Sequence, residues 1–279
     1  MDRQKSFENQ RPTLYLVPTP IGNLQEMTPR SIDILKTVDY IACEDTRTSK
    51  PLLQHFGITT KTLAYHNFNE EQSCKGIIKL LAEGHDIALI SDAGYPLISD
   101  PGQVLVNEVS KQGYNVTPLS GCNAMLNALV ASGLIVQPFT FIGFLDSSTS
   151  QREKQLMQYR EWPMTMIFYE APHRINKTLD SMLKVLGDRK CCLARELTKK
   201  HEEFIRGQLS ELVTLEGLKG EMVIVVEGKQ EDKQIDDEKI IAMLEEAIAK
   251  GSSKKDAIKA ISTQLAISKN YVYDLANKL

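Results

Sequence analysis

Through the first 119 residues, short apolar runs alternate with longer stretches whose apolar residues recur every three or four positions. Residues 14–17, 40–43, 62–64, 87–90 and 116–119 are too short for helices and read as strands, the run 87–90 as one buried in a parallel sheet. Helices are predicted to start near Pro29, Thr46, Glu70 and Pro101. Regular strand–helix alternation predicts a mostly parallel, doubly wound sheet. Residues 121–133 read as a helix crossing into a second α/β unit with strands at 139–142, 164–168, 191–194 and 222–226. Beyond a charged linker at 229–233, residues 236–250 carry helical periodicity that Gly251 stops. Ser253 with Asp256 resembles a capping box in which Asp replaces Glu, and Ala257, Ile258, Ile261 and Leu265 follow at helical spacing. A last helix opens at Ser268, with Val272, Leu275 and Ala276 on one side. These three short helices predict a helix-turn-helix-like module that either binds nucleic acid or docks.

The length of 279 residues suits two α/β domains, 12–119 and 120–230, and a helical module, 234–279. With 42% hydrophobic and 25% charged residues, the chain has the composition of an ordinary globular protein. Residues 1–12 are polar and lack the apolar segment of a secretory signal. No run approaches the roughly 20 apolar residues that span a bilayer, so a cytoplasmic location without membrane partners is expected. Cysteines 43, 74, 122, 191 and 192 are odd in number and lack CxxC spacing, which predicts reduced thiols and no metal site. The net charge of −3 is unevenly spread. Residues 151–207 hold twelve Lys/Arg against eight Asp/Glu, and 250–279 hold six against two, whereas 208–249 hold four against eleven. Local basic surfaces fit either a polyanionic partner or solvated helix faces.

The most informative segment is SDAGYPLISDPG, residues 91–102, directly after the strand at 87–90. Open α/β sheets bind ligands at the carboxyl ends of their strands, and twelve Gly-, Pro- and Asp-rich residues exceed the about 2–6 that a βα turn requires. Four further clusters accompany it: PTPIGNL at 18–24, EDTR at 44–47, FYEAPHR at 168–174 and RELTKKHEE at 195–203. No GxGxxG, GxxxxGK[ST], HExxH or GxSxG pattern occurs, which disfavours dinucleotide, P-loop, zinc-protease and serine-esterase chemistry.

In this order the clusters resemble a branch of the tetrapyrrole methylase superfamily, the bacterial methyltransferases of small-subunit ribosomal RNA. The resemblance spans residues 12–228. It implies two α/β domains of the tetrapyrrole methylase type with a cofactor cleft between them, a small C-terminal helical module and a homodimer. It implies S-adenosylmethionine as methyl donor, the ribose 2′-hydroxyl of a cytidine as acceptor, and 16S ribosomal RNA or the assembled small subunit as partner. Ile21, Gly22, Ala93, Gly94, Tyr95, Pro96, Ile98, Asn123 and Ala124 are then expected against the cofactor, with Tyr169 and Leu197 from the second domain. Two departures stand out. Ser120-Gly121 replaces a common Pro-Gly, and Phe144-Leu145-Asp146-Ser147 replaces a Phe-Leu-Pro soon followed by lysine, removing a basic group from the expected substrate loop.

A weakly acidic ribose hydroxyl benefits from a nearby proton acceptor. Glu170, His173, Asp45, Glu196 and His201 are the candidates; Glu170 and His173 are favoured, with the alternative that they orient the loop or Arg174. Substrate contacts are expected from Asp45, Arg47, Arg174, Arg195, Lys199 and His201, the basic groups gripping phosphates. Tyr65, Tyr95, Tyr169 and Phe68 could stack a base or pack in the core. Two rival readings are a carbon methylation of a tetrapyrrole precursor on the same fold and RNA binding without catalysis.

Overall fold

The computed structural model describes residues 3–6, 8–65, 70–230, 237–265 and 267–277. It forms two compact units, Met1–Lys229 and Gln230–Leu279. The first unit opens with β1 (Thr13–Leu16), α1 (Pro29–Thr37), β2 (Tyr40–Cys43), α2 (Thr46–His55), β3 (Lys61–Ala64), α3 (Glu70–Ala82), β4 (Ile87–Ile90), α4 (Gln103–Lys111) and β5 (Asn115–Pro118). The five strands form one parallel sheet in the order β3-β2-β4-β1-β5. Successive side chains on a strand point to opposite faces, so a continuously apolar strand serves two cores. In β4, Ile87 and Leu89 pack with Leu81, Leu105 and Val109, while Ala88 and Ile90 pack with Leu35 and Leu53. Because β1 and β4 are neighbours, the two loops leaving their carboxyl ends lie side by side.

The second half of the unit comprises α5 (Ala124–Ala131), β6 (Phe139–Phe144), α6 (Thr149–Tyr159), β7 (Thr165–Glu170), α7 (Ile175–Leu186), β8 (Lys190–Arg195), β9 (Glu203–Gln208), α8 (Leu209–Leu212) and β10 (Met222–Val226). Its sheet runs β6-β7-β10-β8-β9, with β6 and β7 parallel and the other pairs antiparallel. Strand β9 is absent from the sequence expectation because its residues, EFIRGQ, are polar enough for a half-exposed edge strand; pairing with β8 makes it a strand. Met222, Ile224 and Val226 face Leu156 of α6 and Leu179 and Met182 of α7. Val223 and Val225 face the other way, toward Ala128 and Leu129 of α5 and toward Ile21 and Leu197. That second face is the one from which a site can be built.

The second unit packs α9 (Asp237–Ala249), α10 (Lys254–Leu265) and α11 (Lys269–Ala276) around Ile240, Leu244, Ala257, Ile258, Ile261, Val272, Leu275 and Ala276. Ser253 Oγ accepts the Asp256 N–H at 3.1 Å and donates to Asp256 Oδ2 at 2.6 Å, so the shorter Asp side chain meets the Ser hydroxyl where a Glu would reach the backbone. All five cysteines are buried and unbridged. Among the described residues no helix is long and apolar enough to cross a membrane.

Arg152 is the largest fully buried side chain. It donates to Ser181 Oγ (3.0 Å), Thr149 Oγ1 (3.0 Å) and the carbonyls of Asp146, Ser147 and Lys177 (3.3, 3.1 and 3.3 Å), locking the β6–α6 loop onto α7. Arg152→Met keeps the aliphatic volume but orphans these acceptors. It should lower unfolding stability by about 2–4 kcal/mol in urea titrations, since each buried acceptor left unpaired costs roughly 1–3 kcal/mol.

Candidate active site

Backbone hydrogen bonds join the loops after β1 and β4. Thr19 N–H donates to Gly94 O and Gly94 N–H to Thr19 O, both at 2.9 Å. Thr19 Oγ1 donates to Ser91 O at 3.1 Å and Ser91 Oγ to Gly94 O at 3.0 Å. The Tyr95 hydroxyl accepts the Gly121 N–H at 3.1 Å, tying in the loop after β5. Along 94–102 the backbone enters the left-handed region at Gly94 (φ 78°), Leu97 (73°), Ser99 (70°) and Gly102 (135°). Leu97 and Ser99 pay a conformational cost there that only a heavily over-determined loop sustains.

A cavity of about 380 Å³ lies between these loops and the cleft-facing side of the second sheet. Ile21, Ala93, Gly94, Tyr95, Ile98, Asn123 and Ala124 line it from the first half and the crossing helix, and Tyr169 and Leu197 from the second. Nine of the eleven residues expected against a cofactor thus meet at one cavity. Gly22 and Pro96 do not line it. A side chain at Gly22 would collide with the Lys199 stem, its Cβ falling 2.4 Å from Lys199 Cγ, so Gly22 permits the PTPIGNL loop to close on the RELTKK turn. Pro96 is buried beneath, beside a void of about 10 Å³ that Tyr65 and Asp100 also border.

Glu221, Met222 and Val223 at the start of β10 line the cavity without having been singled out as site residues, and Phe144, the first residue of the expected substrate loop, lines it as well. Asp92 and Asp100 belong to the loop already singled out, but their charge matters. Asp100 is pushed up to about 6 by burial, with Glu44 and Asp92 adding repulsion. Asp92 is raised by burial and then by Asp45. Among the described residues, no Lys, Arg or His lines the cavity. No group of His, Cys, Asp and Glu suited to a metal occurs among them either.

The residues expected to touch substrate are distributed otherwise. Glu170 lines the cavity yet is 2% exposed and committed: Oε1 accepts the Ala171 N–H at 2.8 Å, Oε2 accepts Thr178 Oγ1 at 2.5 Å, and Arg174 Nε lies 3.1 Å from Oε1. Both Glu170 oxygens are thus engaged by neighbouring groups. His173 and His201 are exposed and off the cavity lining. Asp45 caps α2 and grips Arg47 through two side-chain bonds of 3.1 and 2.9 Å, which holds the Asp45 carboxyl down near 2. Arg195 pairs with Glu203 at 2.7 Å, and Lys199 with Glu196 and Glu221 at 2.9 and 2.7 Å. Tyr65 is fully buried, which leaves it no face for a base, and Phe68 lies outside the described residues.

The comparisons with known proteins agree with this architecture. Residues 13–213 match the family described as Tetrapyrrole (Corrin/Porphyrin) Methylases. Over 98% of the chain it is 46% identical to the Ribosomal RNA small subunit methyltransferase I of Bacillus subtilis, covering 97% of that protein. Its identity to the protein of that name from Vibrio cholerae is 43%, with 98% and 97% covered. Among solved structures, a diphthine synthase superposes with a TM-score of 0.61 at 14% identity, covering 78% of this chain and 90% of that one. A cobalt precorrin-4 methyltransferase gives 0.56 at 13% identity, with 77% and 94% covered. These last two likenesses speak for the fold alone. Matching motifs, a matching pair of sheets and near-full-length identity converge: the chain belongs to the tetrapyrrole methylase family and, within it, to the ribosomal RNA small subunit methyltransferase I group.

Proposed function

We propose that this protein transfers a methyl group from S-adenosylmethionine to the ribose 2′-hydroxyl of a cytidine in small-subunit ribosomal RNA. The observation that carries the reading is the character of the cavity. Its volume, about 380 Å³, falls in the range of small-molecule sites. Ile21, Ile98, Leu197 and Val223 provide apolar walls, and glycine at 94 brings backbone close. Asp92 and Asp100 face it without an ion pair among the described residues, and no basic side chain lines it; Glu221, also on the lining, is held by Lys199. That combination fits a ligand with an apolar body and two positive centres, the sulfonium and ammonium of S-adenosylmethionine. When bound, the cofactor supplies an electrophilic methyl whose transfer leaves a neutral thioether. The same acidic lining disfavours a polycarboxylate tetrapyrrole as occupant. The RNA acceptor is supported by the names of relatives at 42–46% identity, and the cytidine ribose by the resemblance of the five ordered motifs.

The protein's part is positional and electrostatic. Rigid loops hold donor and acceptor in line, at near-attack distances of about 3–3.5 Å. Asp100 accepts the hydroxyl proton: it lines the cavity, no bonded partner holds it among the described residues, and its pKa near 6 suits the task at neutral pH. Glu170 acts as a positioning residue that fixes Arg174 and the 171–174 turn. Arg47, whose side chain is 90% exposed, spends two of its five N–H donors on Asp45 and keeps the rest for phosphate. In the C-terminal unit Lys254, Lys255, Lys259 and Lys269 are exposed and form no ion pair among the described residues, a surface that supports RNA binding by this module. Exposed Leu126, Val130, Ile135 and Val136 support a homodimer formed through α5 and the segment after it.

Incubated with tritiated S-adenosylmethionine and small subunits from cells lacking this enzyme, the protein should place label in 2′-O-methylcytidine; absence of label from RNA would sink the reading. Asp100→Asn tests the base. The folded-state pKa lies above the unfolded value near 3.9, so the ionised carboxylate costs stability above about pH 6, and this cost fades as the pH falls toward 4. The variant should therefore gain about 2–3 °C in Tm at pH 8, the effect of roughly 1 kcal/mol after solvent screening, and nothing at pH 4. It should also lose the acidic limb near pH 6 from its kcat/KM profile, with turnover down about a hundredfold or more. Lys255→Glu with Lys259→Glu and Lys269→Glu should weaken RNA binding and flatten its salt dependence, with cofactor affinity unchanged by calorimetry.

A further inference from the structure

We infer that Phe144 is a stacking platform for an unstacked nucleobase of the acceptor RNA, set at the mouth of the cavity; this rests on the RNA reading above. Phe144 is the last residue of β6, an edge strand, and is 54% exposed although it lines the cavity. A half-bare phenyl ring beside a charged cavity needs a reason, and the strand supplies one.

The pairing of β6 with β7 slips between Phe141 and Gly143. Regular pairing from Phe141↔Ile167 onward would set Gly143 against Tyr169 and turn Phe144 to the opposite face. With the bulge, Gly143 pairs with Phe168 and Phe144 with Tyr169. Gly143 sits at φ 80°, the conformation that makes such an irregularity tolerable for glycine alone. One inserted residue thus moves a phenyl ring from the helix-covered face to the cavity face. There it completes a row of rings: Phe141 and Tyr169 stand 4.8 Å apart at 65°, and Tyr169 and Phe144 5.6 Å apart at 66°. Phe141 and Tyr169 belong to the packed side of the row, and Phe144 is its open end.

The platform is rigid. Leu145 is 3% exposed and its carbonyl accepts Arg174 Nη2 at 2.6 Å. Arg152 holds the next two carbonyls, and Gln155 Oε1 accepts the Asp146 N–H at 2.9 Å. A fixed, exposed aromatic beside a reaction cavity matches the way proteins hold splayed bases, whose π-faces stack whatever the sequence. An acceptor nucleotide must reach the cavity from solvent, and Phe144 is a half-exposed aromatic among the lining residues. The planar adenine of the cofactor shares this chemistry, and the experiment separates the two.

The test combines Phe144→Ala, Phe144→Tyr and Phe144→Trp in the full chain. With small subunits as substrate, Phe144→Ala should lose about tenfold to a hundredfold in kcat/KM, mostly through KM, while S-adenosylmethionine affinity by calorimetry stays within about twofold. Phe144→Tyr should restore most of the loss. In a Trp162→Phe background, Phe144→Trp carries the single tryptophan. Its fluorescence should be quenched by small-subunit RNA and not by the cofactor. Equal loss of cofactor affinity, or quenching by cofactor alone, would assign the ring to adenine and overturn the proposal. Unchanged kcat/KM in Phe144→Ala, with the unaltered protein labelling RNA, would overturn it alone. An unaltered protein that labels no RNA would overturn the functional reading and the platform with it.

Discussion

The reciprocal backbone bonds between Thr19 and Gly94 are the constraint on which the site depends. They convert two loops from neighbouring strands into one stiff floor. With that floor fixed, Ile21 reaches the apolar face of the second sheet, and Gly22 lets the chain pass against the Lys199 stem. The opposing turn is strained as well, with Glu196 and Thr198 at φ 51° and 68°. Lys199 bonds to Glu196 and Glu221 and anchors that turn to the start of β10. A cavity enclosed by two mutually braced loops can bear unfavourable backbone angles and half-buried carboxylates, because the surrounding hydrogen bonds leave them no alternative.

Charge is divided between the cavity lining and the residues around it. Asp92 and Asp100 line the cavity and form no ion pair among the described residues, whereas Glu221, also on the lining, is held by Lys199; off the lining, Arg174, Arg195 and Arg47 each bind a carboxylate too. An interior that favours a cationic small molecule and a periphery of partly neutralised cations suit a reaction between a positively charged donor and a polyanionic acceptor. Pairing also holds long basic side chains in defined directions, which reduces the entropy lost when they meet phosphate. The aromatic row from Phe141 to Phe144 lies on the second-sheet side of the same cavity, so both halves of the unit contribute to it.

The repeating strand–helix pattern, the loop at 91–102 and the motifs after β1 and β7 were legible as sequence, because each joins an apolar run to Gly, Pro and acidic residues at a fixed offset. Asp100 was visible as a residue of that loop and invisible as a perturbed acid, since its pKa depends first on burial and then on Glu44 and Asp92, and both burial and the approach of Glu44 are set by the fold. Glu170 read as a plausible base from its place at a strand end; the Thr178 hydroxyl, eight residues on, and the Ala171 N–H, one residue on, occupy its oxygens. Phe144 was visible as the first residue of the expected substrate loop, but not as a ring on the cavity face. Its direction is set by a one-residue slip against β7, which leaves no trace in hydrophobic periodicity.

The amino-acid sequence by itself determined the layering of two α/β halves and a helical appendage, the family, and the loops whose residues line the cavity. Local patterns suffice for those, since burial on one or both faces and turn chemistry are properties of neighbouring residues. The tertiary structure alone decided which charges remain unpaired, which aromatic rings face the cavity and which carboxyl has its pKa raised to about 6. Those depend on distances between residues far apart in the chain, and electrostatic and stacking energies change steeply over the few ångströms that folding fixes.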